Sequence, residues 1–413
     1  MSSFFQDLRF GLRQLAAKPG FAVAAILTLA LGIGANTAVF SLLSGYLLKP
    51  LPYPHGGLAK ISVEMPKLMP GDMPVSMPMY QVIREHSNAF TAVAMYWGDQ
   101  YNLQVGGRAQ EVLAYAVSAS LFRVLGVQPL LGRTFTDANM HQGHNHVAVI
   151  SYGLWRGSFG ADPGVIGKTV RFNGEPYDII GVMPKGFAFP DREAALWAPV
   201  TIAPDDFAPQ HFFSLDGSLI GWLKPSVNVN GARERVRQAI GTWLTAHIPY
   251  KTADGDLINK ALLQKYGFAM QVQPYRQDLL GDRPATLWLL QGAVLLILLI
   301  TCVNVANLLL SRVLGRSHEM AMRSALGASR VTLGRQLLGE ALCLTVPAGL
   351  GGVALAWLAL HFLAGSALGA GNSIFNMTLD WRVGLFALAA VLFTALLVSV
   401  LPIRQLAKTD LQL

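Results

Sequence analysis

Hydrophobic residues along this chain gather into four long runs, with one long interval of mixed sequence between the first and the second. Phe21 to Leu48, Leu287 to Leu310, Ala341 to Leu363 and Val383 to Leu401 carry almost no charge. Each holds about 20 residues or more, the length that crosses the hydrocarbon of a bilayer as a helix. The pattern predicts an α-helical four-span membrane bundle with one large extramembrane domain. In order, it gives a terminal segment 1–19, a first span 20–48, the large domain 49–285, a second span 286–311 and a loop 312–339. A third span 340–364, a short loop 365–381, a fourth span 382–403 and a tail 404–413 follow.

Charge fixes which side the domain lies on. The net charge is +8, yet Lys49 to Arg283 hold 21 basic and 19 acidic side chains, leaving 11 and 5 for the remainder. The excess flanks the spans, which is how topology-setting charge is distributed, and it argues against nucleic acid as a partner. Arg9, Arg13 and Lys18 precede the first span. Arg312, Arg316, Arg323, Arg330 and Arg335 outnumber Glu319 and Glu340 between the second and third, and Arg404 and Lys408 follow the fourth. If every run crosses once, all three basic segments share one side, the cytoplasm, and the large domain and loop 365–381 lie outside. The first run is about twice the length of a signal-peptide core and no A-x-A-like site follows it, so it reads as a retained span. Ahead of it, Phe4, Phe5, Leu8, Leu12 and Leu15 share one helical face with Arg9 and Arg13 off it. This suits an amphipathic helix in the cytoplasmic interface, a frayed tail being the alternative. Cys302 and Cys343 both fall in or beside spans, so the large domain has no cysteine and no disulfide.

That domain mixes strand and helix signals and reads as α+β. Val147–Ile150 and Tyr177–Val182 are β-rich, and Asn173-Gly174 joins Thr169–Phe172 to the latter as a hairpin turn. Residues 231–246 read as a helix with Val236, Ile240 and Leu244 on one face and Arg233, Arg235 and Arg237 off it. Residues 268–272 alternate like a strand leading back to the membrane. Residues near 98–205 read as a subdomain inserted between two halves of another.

No catalytic motif survives inspection. Gly167-Lys168-Thr169 lacks the glycine that a phosphate-binding loop places five residues earlier, where Asp162 stands. His318-Glu319 would need a second histidine where Met322 is found to be a zinc helix. The metal candidate is His141, His144 and His146, three imidazoles within six residues. The preferred reading is a solvated loop, since Asn139, Gln142, Gly143 and Asn145 surround them and no carboxylate stands among them as a base. Met65, Met69, Met73, Met77 and Met79 offer soft ligands or, more simply, local packing. No cofactor is implied.

Within the spans, Ala30, Gly34 and Ala38, and Gly349, Gly352 and Ala356, form small-residue faces that allow close helix approach. Asn304 and Asn307 are costly in lipid and are expected to face a partner helix. In the loop, Glu319 and Arg323 are spaced to pair on a helix, with Met320, Ala321, Ala325, Leu326 and Ala328 giving it a small apolar face and Gly327 a place to end. Such a helix suits docking on a protein; a simple topogenic loop on the headgroups remains the other reading.

At these residues the chain resembles the MacB-like and FtsX-like permeases of ABC systems, over nearly its whole length. The stretch Glu319-Met320-Ala321-Met322-Arg323-Ser324-Ala325-Leu326-Gly327-Ala328 is similar to the family's E-[IM]-[AG]-x-R-x-A-x-G-A pattern. Asp7-Leu8-Arg9 with residues 29–37 resembles the first-span signature, and Pro50-Leu51-Pro52-Tyr53-Pro54 its exit. Residues 122–127, 132–135 and 181–184 resemble the MacB-type periplasmic core domain. The resemblance implies a bacterial inner-membrane permease subunit with no chemistry of its own, both termini cytoplasmic, and a periplasmic domain. That domain would have a porter-like part, near 55–97 and 210–280, and an inserted β-rich part. It also implies that Glu319, Met320, Arg323, Ala325, Gly327 and Ala328 dock on a cytoplasmic ABC ATPase. ATP-driven closure of paired ATPases would then be relayed to the periplasm by mechanotransmission, for export or extrusion of an envelope substrate. The chain contains no ATPase domain, so a separate partner is expected to supply it. A second permease copy or half is required as well, and a periplasmic adaptor is left open. The alternative is an FtsX-like envelope scaffold or sensor regulating a periplasmic partner.

Overall fold

The computed structural model of the protein describes residues 13, 19–49, 53–54, 56–105, 107–281, 283–314, 330–364 and 380–409. They fall into two units, Met1–Lys49 with Asp282–Leu413, and Pro50–Gly281.

The first unit is helical. Among the described residues four helices are long and apolar enough to cross a membrane: Pro19–Leu48, Pro284–Arg312, Leu337–Leu363 and Trp381–Val400. The first is α-helical over Pro19–Leu43 and ends in a π-helical turn, Ser44–Leu48. The others run past their apolar limits, as Arg283–Leu314, Arg330–Ala364 and Trp381–Thr409. Hydropathy marks where lipid contact ends, whereas helical hydrogen bonding continues into the polar flanks.

Small residues set how closely these helices approach. A Cβ built on Gly34 would stand 2.9 Å from the carbonyl oxygen of Gly352, and one on Gly352 would stand 2.9 Å from Gly34 N and 3.0 Å from Ala30 O. The first and third spans therefore touch backbone to backbone, as close packing in a membrane requires where no hydrophobic force drives helices together. Gly349 is covered by Val391 of the fourth span, and Phe40 stacks on Phe386 with ring centroids 4.1 Å apart. Leu29, Ile33, Leu298, Leu344 and Val398 fill the centre. In the second span, Asn304 and Asn307 face no helix among the described residues of this chain: both are exposed. The inward face of that helix is Leu298, Cys302, Val305, Ala306 and Leu309, and at 100° per residue positions 304 and 307 turn away from it.

The second unit is α+β. Its strands are β1 (Leu58–Met65), β2 (Met69–Met73), β3 (Phe90–Val105), β4 (Arg108–Val117), β5 (Leu131–Gly132), β6 (Val147–Ile150), β7 (Thr169–Phe172), β8 (Glu175–Val182), β9 (Ala194–Pro199), β10 (Ser218–Leu223), β11 (Tyr250–Lys251), β12 (Leu257–Ile258) and β13 (Ala269–Pro274). The main sheet runs β13-β1-β10-β3-β4-β9-β6-β8-β5, with β2 on β1 and β7 bridging β3 and β8. The β7–β8 hairpin turns at Asn173 (φ 50°) and Gly174 (φ 87°), both left-handed as a two-residue hairpin turn demands.

Two apolar cores divide this sheet. In the first lobe Ile61, Val63, Leu219 and Val272 meet Met79 and Ile83 of the Met77–His86 helix and Val236 and Ile240 of the Val229–His247 helix. The second gathers Leu103, Ala148, Ile150, Ile179 and Leu196 under Leu154 and Trp155 of the Tyr152–Phe159 helix. The chain enters the first lobe, builds the second and returns, so the second is an insertion. The two are joined through β3, whose Phe90–Tyr96 half pairs with β10 and whose Tyr96–Val105 half pairs with β4. At the crossing, Gly98 lies opposite Tyr115 of β4, whose ring occupies the space a Cβ on Gly98 would need.

Gly34→Leu should separate the first and third spans and cost about 1–3 kcal/mol of stability, as overpacking does. Gly292→Leu, with nothing within 4 Å of the added atom, should be neutral. Thermal melts of both variants in detergent check the contrast.

Candidate functional site

Three polar or aromatic clusters stand where they could connect the spans with each other or close the ends of the large domain. The first lies inside the bundle. Asn36 is fully buried in the first span. Its Nδ2 donates to Gly32 O of its own helix at 2.9 Å and to Val294 O of the second span at 2.8 Å. Its Oδ1 accepts from Gln291 Nε2 at 3.1 Å. An amide so enclosed must be bonded internally, since lipid offers no partner, so this pair fixes the rotation of the first span against the second.

The second cluster is at the end of the bundle where the chain leaves for the large domain. Lys49 Nζ stands 3.3 Å from Asp380 Oδ2. The same carboxylate accepts from the backbone amides of Arg382 and Val383 at 3.1 Å each, capping the start of the fourth span. Arg382 Nη1 donates to Leu48 O at 2.8 Å, satisfying a carbonyl left over where the first span ends. Partial burial pushes the Asp380 carboxyl up, but the Val383 amide, Lys49 and the Arg382 amide outweigh it and hold the group below its usual range.

The third cluster ties the two ends of the large domain together. Tyr53 follows the first span by five residues, and Tyr275 opens the Tyr275–Leu280 helix shortly before the second. Tyr53, Tyr275 and Phe189 are almost fully buried. Their ring centroids lie 6.4 Å apart for Tyr53–Tyr275, 5.9 Å for Tyr53–Phe189 and 6.1 Å for Phe189–Tyr275. Tyr96, at the centre of β3, meets Phe189 at 4.9 Å. Burial, eased by hydrogen bonds to Ser218 and Tyr275, pushes the Tyr96 phenol up to about 12, so it stays a neutral donor. Tyr115 in turn is bonded to buried Asp191, which also accepts from the amides of Glu193 and Ala194 at 2.9 Å each. The Tyr275–Leu280 helix is pinned from its other side: Lys60 Nζ of β1 stands 2.7 Å from Asp278 and 3.3 Å from Asp72. Gln273 donates to both carboxylates.

The sequence candidates fare differently. Glu319, Met320, Arg323, Ala325, Gly327 and Ala328 lie outside the described residues, as do residues 1–12 and 14–18. His141, His144 and His146 are all exposed and do not form a common site. His146 turns to Glu175 at 3.4 Å and packs on Tyr177, and among the described residues no group of three or more His, Cys, Asp or Glu is placed to hold a metal. Met65 and Met79 are core residues, with Met73 and Met77 packed on them; Met69 is exposed. Lys168 is committed to Asp162 at 2.7 Å. Asn36 and the Tyr53–Tyr96–Phe189–Tyr275 group went unread in the sequence, because each joins residues far apart in the chain.

Residues 22–239 match the MacB-like periplasmic core domain and residues 292–411 the FtsX-like permease C-terminal domain. The chain belongs to the MacB-like, FtsX-like permease family. Among its relatives are "Pyoverdine export ATP-binding/permease protein PvdT" of Pseudomonas syringae pv. tomato, 29% identical over 282 residues, 68% of this chain and 39% of that protein. Another is "Macrolide export ATP-binding/permease protein MacB" of a Shewanella species, 26% identical over 324 residues, 76% of this chain and 44% of that one. The MacB-like chain thus spans about two fifths of the length of these relatives. The periplasmic region of MacB from Actinobacillus actinomycetemcomitans aligns with a TM-score of 0.36 and 17% identity, covering 51% of this chain and 92% of that one. In this MacB-like chain the family match runs from the first span into the large domain, so it takes in Asn36 and Tyr53 together.

A carboxyl held below its usual range stabilises above the ordinary carboxylate pKa and loses that contribution as pH falls through the lower folded value. Wild type should therefore melt higher than Asp380→Asn near neutral pH, with the gap narrowing from about pH 4 downward. Melting curves across that range in detergent test it.

Proposed function

We propose that the chain is the membrane permease part of a MacB-like ABC system, powered by a cytoplasmic ATPase and working on a substrate outside the bilayer. The observation that carries this reading is the predominantly apolar interior of the bundle, where the buried polar side chains besides Asn36 are small hydroxyls such as Thr37, Thr345 and Thr394. Leu29, Ile33, Leu298, Leu344 and Val398 fill it, and its buried amide, Asn36, is spent on holding two helices together. A passage for a polar substrate needs polar or ionisable lining. Packed helices joined backbone to backbone are suited instead to passing a displacement from one end to the other. The names of the relatives, both ATP-binding/permease proteins, support an ATPase as the source of that displacement.

In this reading Glu319, Met320, Arg323, Ala325, Gly327 and Ala328 form the coupling helix. Glu319 and Arg323 fix the helix and present charge, while the small residues let the ATPase approach. The basic segments put both termini in the cytoplasm and the large domain in the periplasm of a bacterial inner membrane. Movement of the first and second spans reaches the domain through its two chain connections, where Tyr53 and Tyr275 pack on each other. A second permease copy fits the exposed Asn304 and Asn307. Neither amide has a hydrogen-bond partner among the described residues, and polar side chains facing lipid find partners across helices.

Arg323→Glu should abolish recovery of an ABC ATPase with the tagged protein from native membranes while leaving membrane insertion intact. Undiminished recovery would sink the coupling-helix assignment. Recovery of envelope proteins alone with wild type, and no change in efflux or lipoprotein release on deletion, would favour the scaffold or sensor. Asn304→Leu with Asn307→Leu should weaken self-association in detergent or nanodiscs by about tenfold, one to two interhelical hydrogen bonds' worth. Unchanged association on single-molecule photobleaching would remove these residues from the contact.

A further inference from the structure

The first lobe carries a groove that nothing described so far uses. It lies between the Met77–His86 and Val229–His247 helices and measures about 560 Å³, within the range of small-molecule sites. The sequence of the longer helix makes the hollow. Val236, Ile240 and Leu244 point into the core, and on the flank Arg235, Ala239, Thr242 and Ala246 recur at helical spacing, so that beyond the arginine only short side chains stand there. Val82 and Ala239, both buried, form the floor.

The walls are held rigidly. The Trp243 indole is stacked between Phe212, at 4.8 Å and 12°, and His247, at 4.2 Å and 19°, which leaves its edge to the groove. At the other end Arg235 Nη1 donates to Asn88 O at 2.8 Å. Asn88 is one of the few non-glycine residues with positive φ, 48°, and its side chain accepts from Lys224. That anchorage engages one guanidinium nitrogen and leaves the rest of a planar five-donor group at the groove. His86, Gln238 and Thr242 add polar edges, and no carboxylate lines the groove.

We propose that this groove binds an amphipathic carboxylic acid of small-molecule size. Its carboxylate sits against Arg235, and its flat apolar body lies over Val82, Ala239 and the Trp243 edge. A single guanidinium, exposed and oriented by its bond to Asn88 O, matches a single negative charge, and a charge-assisted bond to carboxylate is roughly twice as strong as a neutral one. The site is independent of how the bundle is powered, so it stands or falls apart from the coupling reading.

The test is isothermal titration of the full chain in lipid nanodiscs with 1-naphthylacetate, empty nanodiscs being subtracted. The neutral 1-naphthylacetamide is the charge control. Saturable binding is expected, at least tenfold weaker for the amide, and reduced at least tenfold by Arg235→Glu. Ala246→Trp, at an exposed position, should fill the hollow and abolish binding without lowering the melting temperature. No saturable binding of the acid, equal binding of acid and amide, or binding unaffected by both substitutions would overturn the proposal.

Discussion

A domain inserted between two neighbouring transmembrane helices has to bring its own ends together, and the other arrangements in this molecule follow from that requirement. Within the bundle, the first and second spans are locked by the Asn36 amide reaching Val294 O and accepting from Gln291. Within the domain, the same two chain ends are joined again by Tyr53 and Tyr275, with Phe189 from the inserted lobe wedged against both. One closure uses hydrogen bonds where lipid supplies none; the other uses ring packing where water would compete.

Beyond small buried hydroxyls such as Thr37, Ser41, Thr345 and Thr394, the membrane part places its larger polar side chains at two levels. Asn36 works at mid-helix, and Lys49, Asp380 and Arg382 work at the end from which the chain departs. Asp380 does two jobs there, capping the fourth span and pairing with the residue that ends the first. Since capping and pairing both favour the charged carboxylate, the two act together.

Much of this was legible in the sequence, for reasons that also explain what was not. Hydropathy locates spans because the bilayer imposes a length, and the Gly34 and Gly352 faces could be read because only small residues permit backbone contact. The Val229–His247 helix and the Asn173-Gly174 turn were visible because their signals are local. Helix rotation was not: sequence shows that Asn36, Asn304 and Asn307 lie in apolar runs, yet only packing reveals that the first faces inward and the other two outward. The solvated reading of the histidine loop agrees with the exposure of His141, His144 and His146, whereas the partner His146 takes, Glu175, is 29 positions away and left no local signal. The aromatic group at 53, 96, 189 and 275 leaves no periodic trace, and the resemblance-bearing segment 319–328 lies outside the described residues.

The uninterrupted course of β3 bears on how the two lobes behave. A strand of 16 residues extends roughly 50 Å at about 3.3 Å per residue, and this one is hydrogen-bonded to β10 along its first part and to β4 along the rest. A flexible tether would let the inserted lobe swing; a shared strand instead carries the backbone hydrogen bonding of the first lobe directly into the second. Any displacement of one lobe would therefore be imposed on the other through a common backbone, without slack between them.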